Sequence, residues 1–165
     1  MPKVAILMGS KSDLNVVKPA VAALKNFGVE TEVRVISAHR TPEEAHEFSS
    51  GAQKNGFEVI ICAAGKAAHL GGVIAANTVL PVIGLPVKTD MMGGLDSLLS
   101  IVQMPSGIPV ATVGVNAGEN AGLLAVQILS VKYPELSKRL NDYKRQMREK
   151  INSDDVALQK EIEQI

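Results

Sequence analysis

Tryptophan is absent and aromatic residues are few, three Phe and two Tyr, so a bound flavin would lack the ring walls that usually flank it. The lone cysteine, Cys62, excludes a disulfide within the chain. It sits in the apolar run Val59 to Ala64, where it reads as a small packed hydrophobe suited to the reducing cytoplasm. No apolar stretch reaches the roughly 18 residues a membrane helix needs, and the N-terminal residues lack a signal-peptide layout, so neither export nor insertion is expected. Charge lacks a dominant sign: 17 basic and 17 acidic residues cancel, and nothing global draws this surface to nucleic acid or anionic lipid. A small, roughly neutral partner fits better. There is no G-x-G-x-x-G after the first strand-like run and no G-x-x-x-x-G-K-S/T, which excludes the dinucleotide fingerprint and the P-loop. A response-regulator receiver needs an acidic pair after the first strand and an aspartate ending the third; those places read "GS" and "AAG". No His, Cys or carboxylate grouping has metal-ligand spacing, so no metal is expected.

What the chain does have is alternation. Short runs rich in Val, Ile and Ala recur at Val4–Met8, Val33–Ile36, Val59–Ala64, Val82–Leu85 and Val110–Val115, each bounded by Gly, Pro or Ser. Apolar residues on both faces of such runs are what a parallel sheet covered by helices demands. Amphipathic stretches lie between them: Leu14–Phe27, Pro42–Asn55, a short piece after His69, Leu95–Val102 and Ala121–Leu129. At 165 residues this is one domain, of α/β class, and a flavodoxin-like doubly wound sheet in a three-layer α/β/α arrangement is the first choice. Residues 134–165 differ in kind. They are highly charged, with Leu136, Leu140, Tyr143, Met147 and Ile151 forming one helical stripe. That stripe has two possible covers, a neighbouring subunit or its own domain. "NSDD" at Asn152–Asp155 is expected to break and recap this extended C-terminal helix.

Ligands of open α/β sheets bind beyond the carboxyl ends of the strands, so the loops there carry the candidate chemistry. "MGSKSD", Met8–Asp13, offers a tight turn and hydroxyls at a helix start, which reads either as an anion cradle or as a cap with Ser12 or Asp13 at the N-cap position. In "SAHRTPEE", Thr41 reads as an N-cap, Pro42 as the first helical residue and Glu44 as the closing member of a capping box. His39 and Arg40 therefore fall in the loop just before the helix. A solvated surface pair is the plain alternative, but their place beside the first loop points to a site. "AAGKAAHLGG", Ala63–Gly72, combines small residues with His69, which is either a structural histidine or part of the same site. His46 falls on a charged helix face and receives no role.

The three loops, taken in order, closely resemble the class I N5-carboxyaminoimidazole ribonucleotide mutases of bacterial purine biosynthesis. "MGSKSD", "SAHRTP", "AAHL", "LPVIGLPV", "GLDSLLSIVQMPSGIPVATV" and "NAGLLAVQIL" carry the resemblance to about Tyr143. It implies a cytoplasmic homo-octamer held partly by the C-terminal extension, no cofactor and no metal. The implied ligand is a small ribonucleotide whose carboxylate moves from an exocyclic nitrogen to ring carbon C4. The phosphate and ribose are expected on Ser10, Ser12, Asp13, Ser37 and Arg40, with Gly9 and Ala38 also among the substrate-binding residues. Gly65, Ala68, His69 and Leu70 are expected around the reacting end, and His39 is the implied catalytic acid and base. Histidine suits a group that first gives and then takes a proton near neutral pH. Two positions depart from the family pattern: Lys66 where glycine is usual, and Gly71 where proline is usual. The alternatives are a class II carboxylase acting on aminoimidazole ribonucleotide and carbon dioxide directly, or a non-catalytic phosphate-ligand module.

Overall fold

The computed structural model describes residues 1–165. Five parallel strands, β1 (Lys3–Met8), β2 (Glu30–Val35), β3 (Val59–Ala64), β4 (Val82–Pro86) and β5 (Ala111–Thr112), form one sheet in the order β2-β1-β3-β4-β5. That is the doubly wound order expected of a flavodoxin-like fold. The helices are α1 (Leu14–Asn26), α2 (Pro42–Gly51), α3 (Leu70–Ala76), α4 (Leu95–Val102), α5 (Gly118–Ser130) and α6 (Pro134–Ile162).

Side chains alternate across a strand, so each central strand feeds two cores. Val4, Ile6, Val59, Ile61, Ile83 and Leu85 pack with Val17 and Leu24 of α1, Ala125 and Leu129 of α5, and Leu136 and Leu140 of α6. Ala5, Leu7, Ile60, Cys62 and Val82 face the other way, against Ala45 of α2, Leu70 and Ile74 of α3, and Ile101 of α4. The result is three layers. Burying each large aliphatic side chain contributes about 1.5–3 kcal/mol before ordering entropy is subtracted. Cys62 lies wholly inside, and burial pushes its thiol far above the ordinary range, so it stays protonated and unreactive. α1 and α5 cross closely because the crossing is lined with small residues. A Cβ on Gly118 would run into the carbonyl oxygen of Val16.

Four local expectations need correction. β2 is an edge strand, not a doubly buried one: Glu30 and Glu32 each lie 3.5 Å from Lys3 Nζ, and Val35 is exposed. Such charges protect an edge from pairing with another chain. The run Val110–Val115 yields only a two-residue strand, Ala111–Thr112, although Val113 N and Asn116 N still donate to Gly84 O and Pro86 O of β4 at 3.1 and 2.8 Å. Thr41 does not cap α2 with its side chain, so the capping box does not form. Finally, α6 passes unbroken through Asn152–Asp155. Residues that favour caps act only where the chain leaves the helix, and here pairs such as Lys150–Asp154 at 4.0 Å support continuation. The stripe on α6 divides. Leu136 and Leu140 are buried against the chain's own α1 and α5 layer, whereas Met147 is 45% exposed and Ile151 65% exposed.

Candidate active site

With every strand parallel, the loops after β1 to β4 leave the same edge of the sheet. They enclose a cavity of about 350 Å³, the size of a small-molecule site. Its wall comprises Gly9, Ser10, Ser12 and Asp13 from the first loop, Ser37, Ala38, His39 and Arg40 from the second, and Ala64, Gly65, Lys66, Ala67, His69 and Leu70 from the third. Val87, Lys88 and Thr89 complete it from the fourth. Of the expected residues only Ala68 stands apart. It is 1% exposed and packs in the core with Leu70 and Ile74.

The first loop is a cap and a cradle at once. Ser10, rather than Ser12 or Asp13, is the capping residue: its Oγ accepts from Ser12 N at 3.3 Å and from Ser12 Oγ at 2.8 Å, closing a single 3₁₀ turn over Lys11–Asp13. Asp13 then sits beside the cavity without capping α1. Burial raises its carboxyl above the ordinary value, and the Ser12 hydroxyl, a backbone bond at Ser10 and the Arg40 charge only partly offset this.

In the second loop Thr41 has a different role from the one expected. Its Oγ1 accepts from Ser37 N at 2.9 Å and donates to Ser37 O at 3.1 Å, tying the two ends of the loop together. Arg40 fastens that loop to the first. Its Nη2 donates to Gly9 O at 2.8 Å and its Nε to Ser37 Oγ at 3.3 Å. The guanidinium is thus oriented with N–H groups to spare for an anion.

His39 meets His69 across the mouth. β2 and β3 flank β1 and so lie about 10 Å apart, yet His39 Nε2 and His69 Nδ1 are 2.8 Å apart, with the rings near perpendicular at 84°. One ring must supply the proton between these nitrogens, and the tautomers of the pair are coupled through it. His46 is elsewhere, its Nδ1 2.9 Å from Asn77 Oδ1. Across the whole chain no three His, Cys, Asp or Glu side chains converge closely enough to hold a metal ion.

The two unusual positions differ in weight. Lys66 has φ 58° on the cavity wall, a left-handed conformation that costs an L-residue about 1 kcal/mol or more relative to glycine. Gly71 is buried in the first turn of α3 and does not line the cavity. Proline is tolerated there because first-turn N–H groups have no partner within the helix. Thr41 and Val87 to Thr89 were missing from the sequence-derived site. The fourth loop had the same address as the other three, directly after an apolar run, and that rule would have found it.

Fold and cavity together define a doubly wound α/β domain that offers, in one cavity, hydroxyls and a guanidinium suited to an anion and a hydrogen-bonded histidine pair. Residues 3–150 match the family described as AIR carboxylase. The chain is 59% identical to the N5-carboxyaminoimidazole ribonucleotide mutase of Pyrococcus abyssi over 90% of this chain and 85% of that one. It is 55% identical to the enzyme of the same name from Aquifex aeolicus, over 98% and 97% of the two chains. Among solved structures it is similar to Treponema denticola PurE, with TM-score 0.88 and 32% identity over 96% of this chain and 99% of the other. The chain belongs to the AIR carboxylase family.

Proposed function

We propose that this chain is a purine-biosynthesis isomerase that converts N5-carboxyaminoimidazole ribonucleotide to 4-carboxy-5-aminoimidazole ribonucleotide without ATP. The observation that carries the reading is the His39–His69 pair, 2.8 Å apart on the wall of a cavity that Ser10, Ser12 and Arg40 also line. The mutases named above supply the substrate class.

The phosphate lies against the Ser10 and Ser12 turn and the spare N–H groups of Arg40, and the Asp13 carboxylate accepts from ribose hydroxyls. This places the imidazole ring of the ligand near His39. Protonated His39 gives its proton to the exocyclic nitrogen as the N–carboxyl bond breaks, which releases carbon dioxide and leaves the amine. The electron-rich C4 attacks the carbon dioxide and forms the new C–C bond. Neutral His39 then removes the C4 proton, and the ring regains its aromaticity. His69 holds the His39 ring in place and shares the positive charge while His39 is protonated. Protons balance over the cycle, so no net exchange with solvent is required. The small residues Ala64, Gly65 and Ala67 let the wall close around carbon dioxide and keep its effective concentration high.

The enzyme works as a homo-oligomer, an octamer by resemblance, in the cytoplasm. No helix is long and apolar enough to cross a membrane. The exposed far half of α6, with Ile151, Val156, Leu158 and Ile162, supplies apolar surface for contacts between copies.

The test supplies the carbamate ribonucleotide without added bicarbonate. Rapid appearance of the C4-carboxylated product supports the mutase. Conversion of the free amine that depends on bicarbonate, with the carbamate inert, would indicate a direct carboxylase instead. Tight binding with no conversion would indicate a ligand-binding module.

A further inference from the structure

We infer that Lys66 is the carboxylate-binding residue of this cavity, so that the ribonucleotide is held at two anionic points, its phosphate at one end and its migrating carboxylate at the other. The inference rests on the mutase reading and adds a substrate contact to it.

The backbone gives the first indication. Lys66 has a positive φ of 58°, and it shares the cavity wall with the histidine pair. Strained conformations persist where the surroundings impose them, and they concentrate at functional sites. Ser100 Oγ on α4 lies 3.3 Å from Lys66 O, although its single proton is directed mainly to Asp96 O at 2.6 Å.

The charges on the wall give the second. Asp13 and Arg40 occupy the side built by the β1 and β2 loops, and Arg40 already donates to Gly9 and Ser37. On the side built by the β3 and β4 loops the wall carries Lys66 and Lys88 and no carboxylate. Neither lysine is in an ion pair. Asp90 follows Thr89 directly but is exposed, lies outside the wall and pairs with neither lysine, and Asp96 accepts from Thr89 Oγ1 at 2.5 Å and Ser97 N at 2.8 Å. The wall on this side therefore presents two ammonium groups, neither ion-paired, and no carboxylate, and it shares the cavity with the histidine pair.

The ligand chemistry fits that surplus. Substrate and product both carry a carboxylate at the reacting end, and the charge disappears only while carbon dioxide is free. An ammonium there strengthens both carboxylated complexes and contributes nothing favourable to the step between them, in which that charge is lost. Loss of Lys66 then appears in KM and in Kd far more than in kcat. Lys66 is exposed, so solvent screens the contact, and the loss is about tenfold rather than the larger factor expected of a dry ion pair.

The test measures calorimetric Kd values for the C4-carboxylated ribonucleotide and for the uncarboxylated amine ribonucleotide on wild type, Lys66→Gln, Lys66→Gly and Lys66→Arg. Both neutral variants should bind the carboxylated ligand about tenfold more weakly and the uncarboxylated one unchanged, with Lys66→Arg close to wild type. Lys66→Gly should also melt a few degrees higher, because glycine accepts the positive φ, so its weaker binding cannot be a folding defect. If the neutral variants weaken both ligands equally, or neither, the inference is overturned and the mutase reading stands. If wild type binds neither ribonucleotide, both are overturned.

Discussion

Removing one methyl-sized hydroxyl outside the proposed reaction should disable the second loop. Thr41 Oγ1 makes two hydrogen bonds to Ser37, at 2.9 Å to its N–H and 3.1 Å to its carbonyl, and so closes the turn that presents His39 and Arg40. Thr41→Val keeps the shape and loses both bonds. Each bond contributes about 0.5–1.5 kcal/mol net, and the partly buried Ser37 N–H is left without its partner, so the loop loses about 2 kcal/mol of ordering. If that energy is drawn from the closed conformation, kcat/KM falls by up to about 30-fold, since 1.4 kcal/mol is tenfold. The effect should appear in binding and turnover together, because the loop carries both the guanidinium and the imidazole. Thr41→Ser retains the hydroxyl and should keep most of the activity. The assay is steady-state conversion of the carbamate substrate, with thermal unfolding recorded alongside; a global loss of this size lowers Tm by roughly 4–8 °C. Wild-type kcat/KM in Thr41→Val, or an equal loss in Thr41→Ser, would refute the view that this hydroxyl holds the loop.

Other outcomes follow from the charged groups. The Asp13 carboxyl titrates above its ordinary range because burial penalises its charge. An acid whose folded pKa is raised costs stability when ionised, so ligand-free Asp13→Asn should melt above wild type at neutral pH, and the gap should close as pH falls through the Asp13 titration. The same variant should bind the ribonucleotide more weakly, since an amide is a poorer acceptor for ribose hydroxyls. Glu58 behaves in the opposite sense. Burial alone would raise its carboxyl, but bonds from Lys132 Nζ and the Tyr133 hydroxyl, both 2.7 Å, outweigh that and hold it below its ordinary value. Its contribution is fully present above the unfolded glutamate pKa of about 4.5 and is lost as pH falls through the lower folded value. Glu58→Gln should therefore reduce stability at neutral pH and flatten the acid limb of a Tm-versus-pH curve. Gly118→Ala should cost about 1–3 kcal/mol by pushing α5 off α1, measured by chemical denaturation.

Elements with unambiguous neighbours were legible. Val59–Ala64 is apolar throughout and sits at the centre of the sheet, and Leu95–Val102 is bounded by Gly94 and Gln103; both have the bounds read from sequence. Edges were harder. Val33–Ile36 and Val110–Val115 look like the central runs, but β2 and β5 end the sheet, where a missing partner shortens or exposes a strand. The Asn152–Asp155 break failed because capping residues respond to where the chain goes, and nothing draws α6 away from its axis. At the site, each histidine was found from its loop, but residues 39 and 69 are 30 positions apart, and no local pattern states that their rings touch. The role of Thr41 was hidden in the same way, since a Ser/Thr before Pro-Glu-Glu reads as a cap until the loop it closes is seen.

The proposed proton transfer by His39 is most directly tested in His39→Asn, by measuring its affinity for the C4-carboxylated ribonucleotide and its turnover of the carbamate in the same preparation. Affinity should stay within about threefold of wild type while kcat falls by about 10²–10⁴, the range for loss of one general acid–base group. Turnover within tenfold of wild type, at unchanged affinity, would show that another group moves the proton.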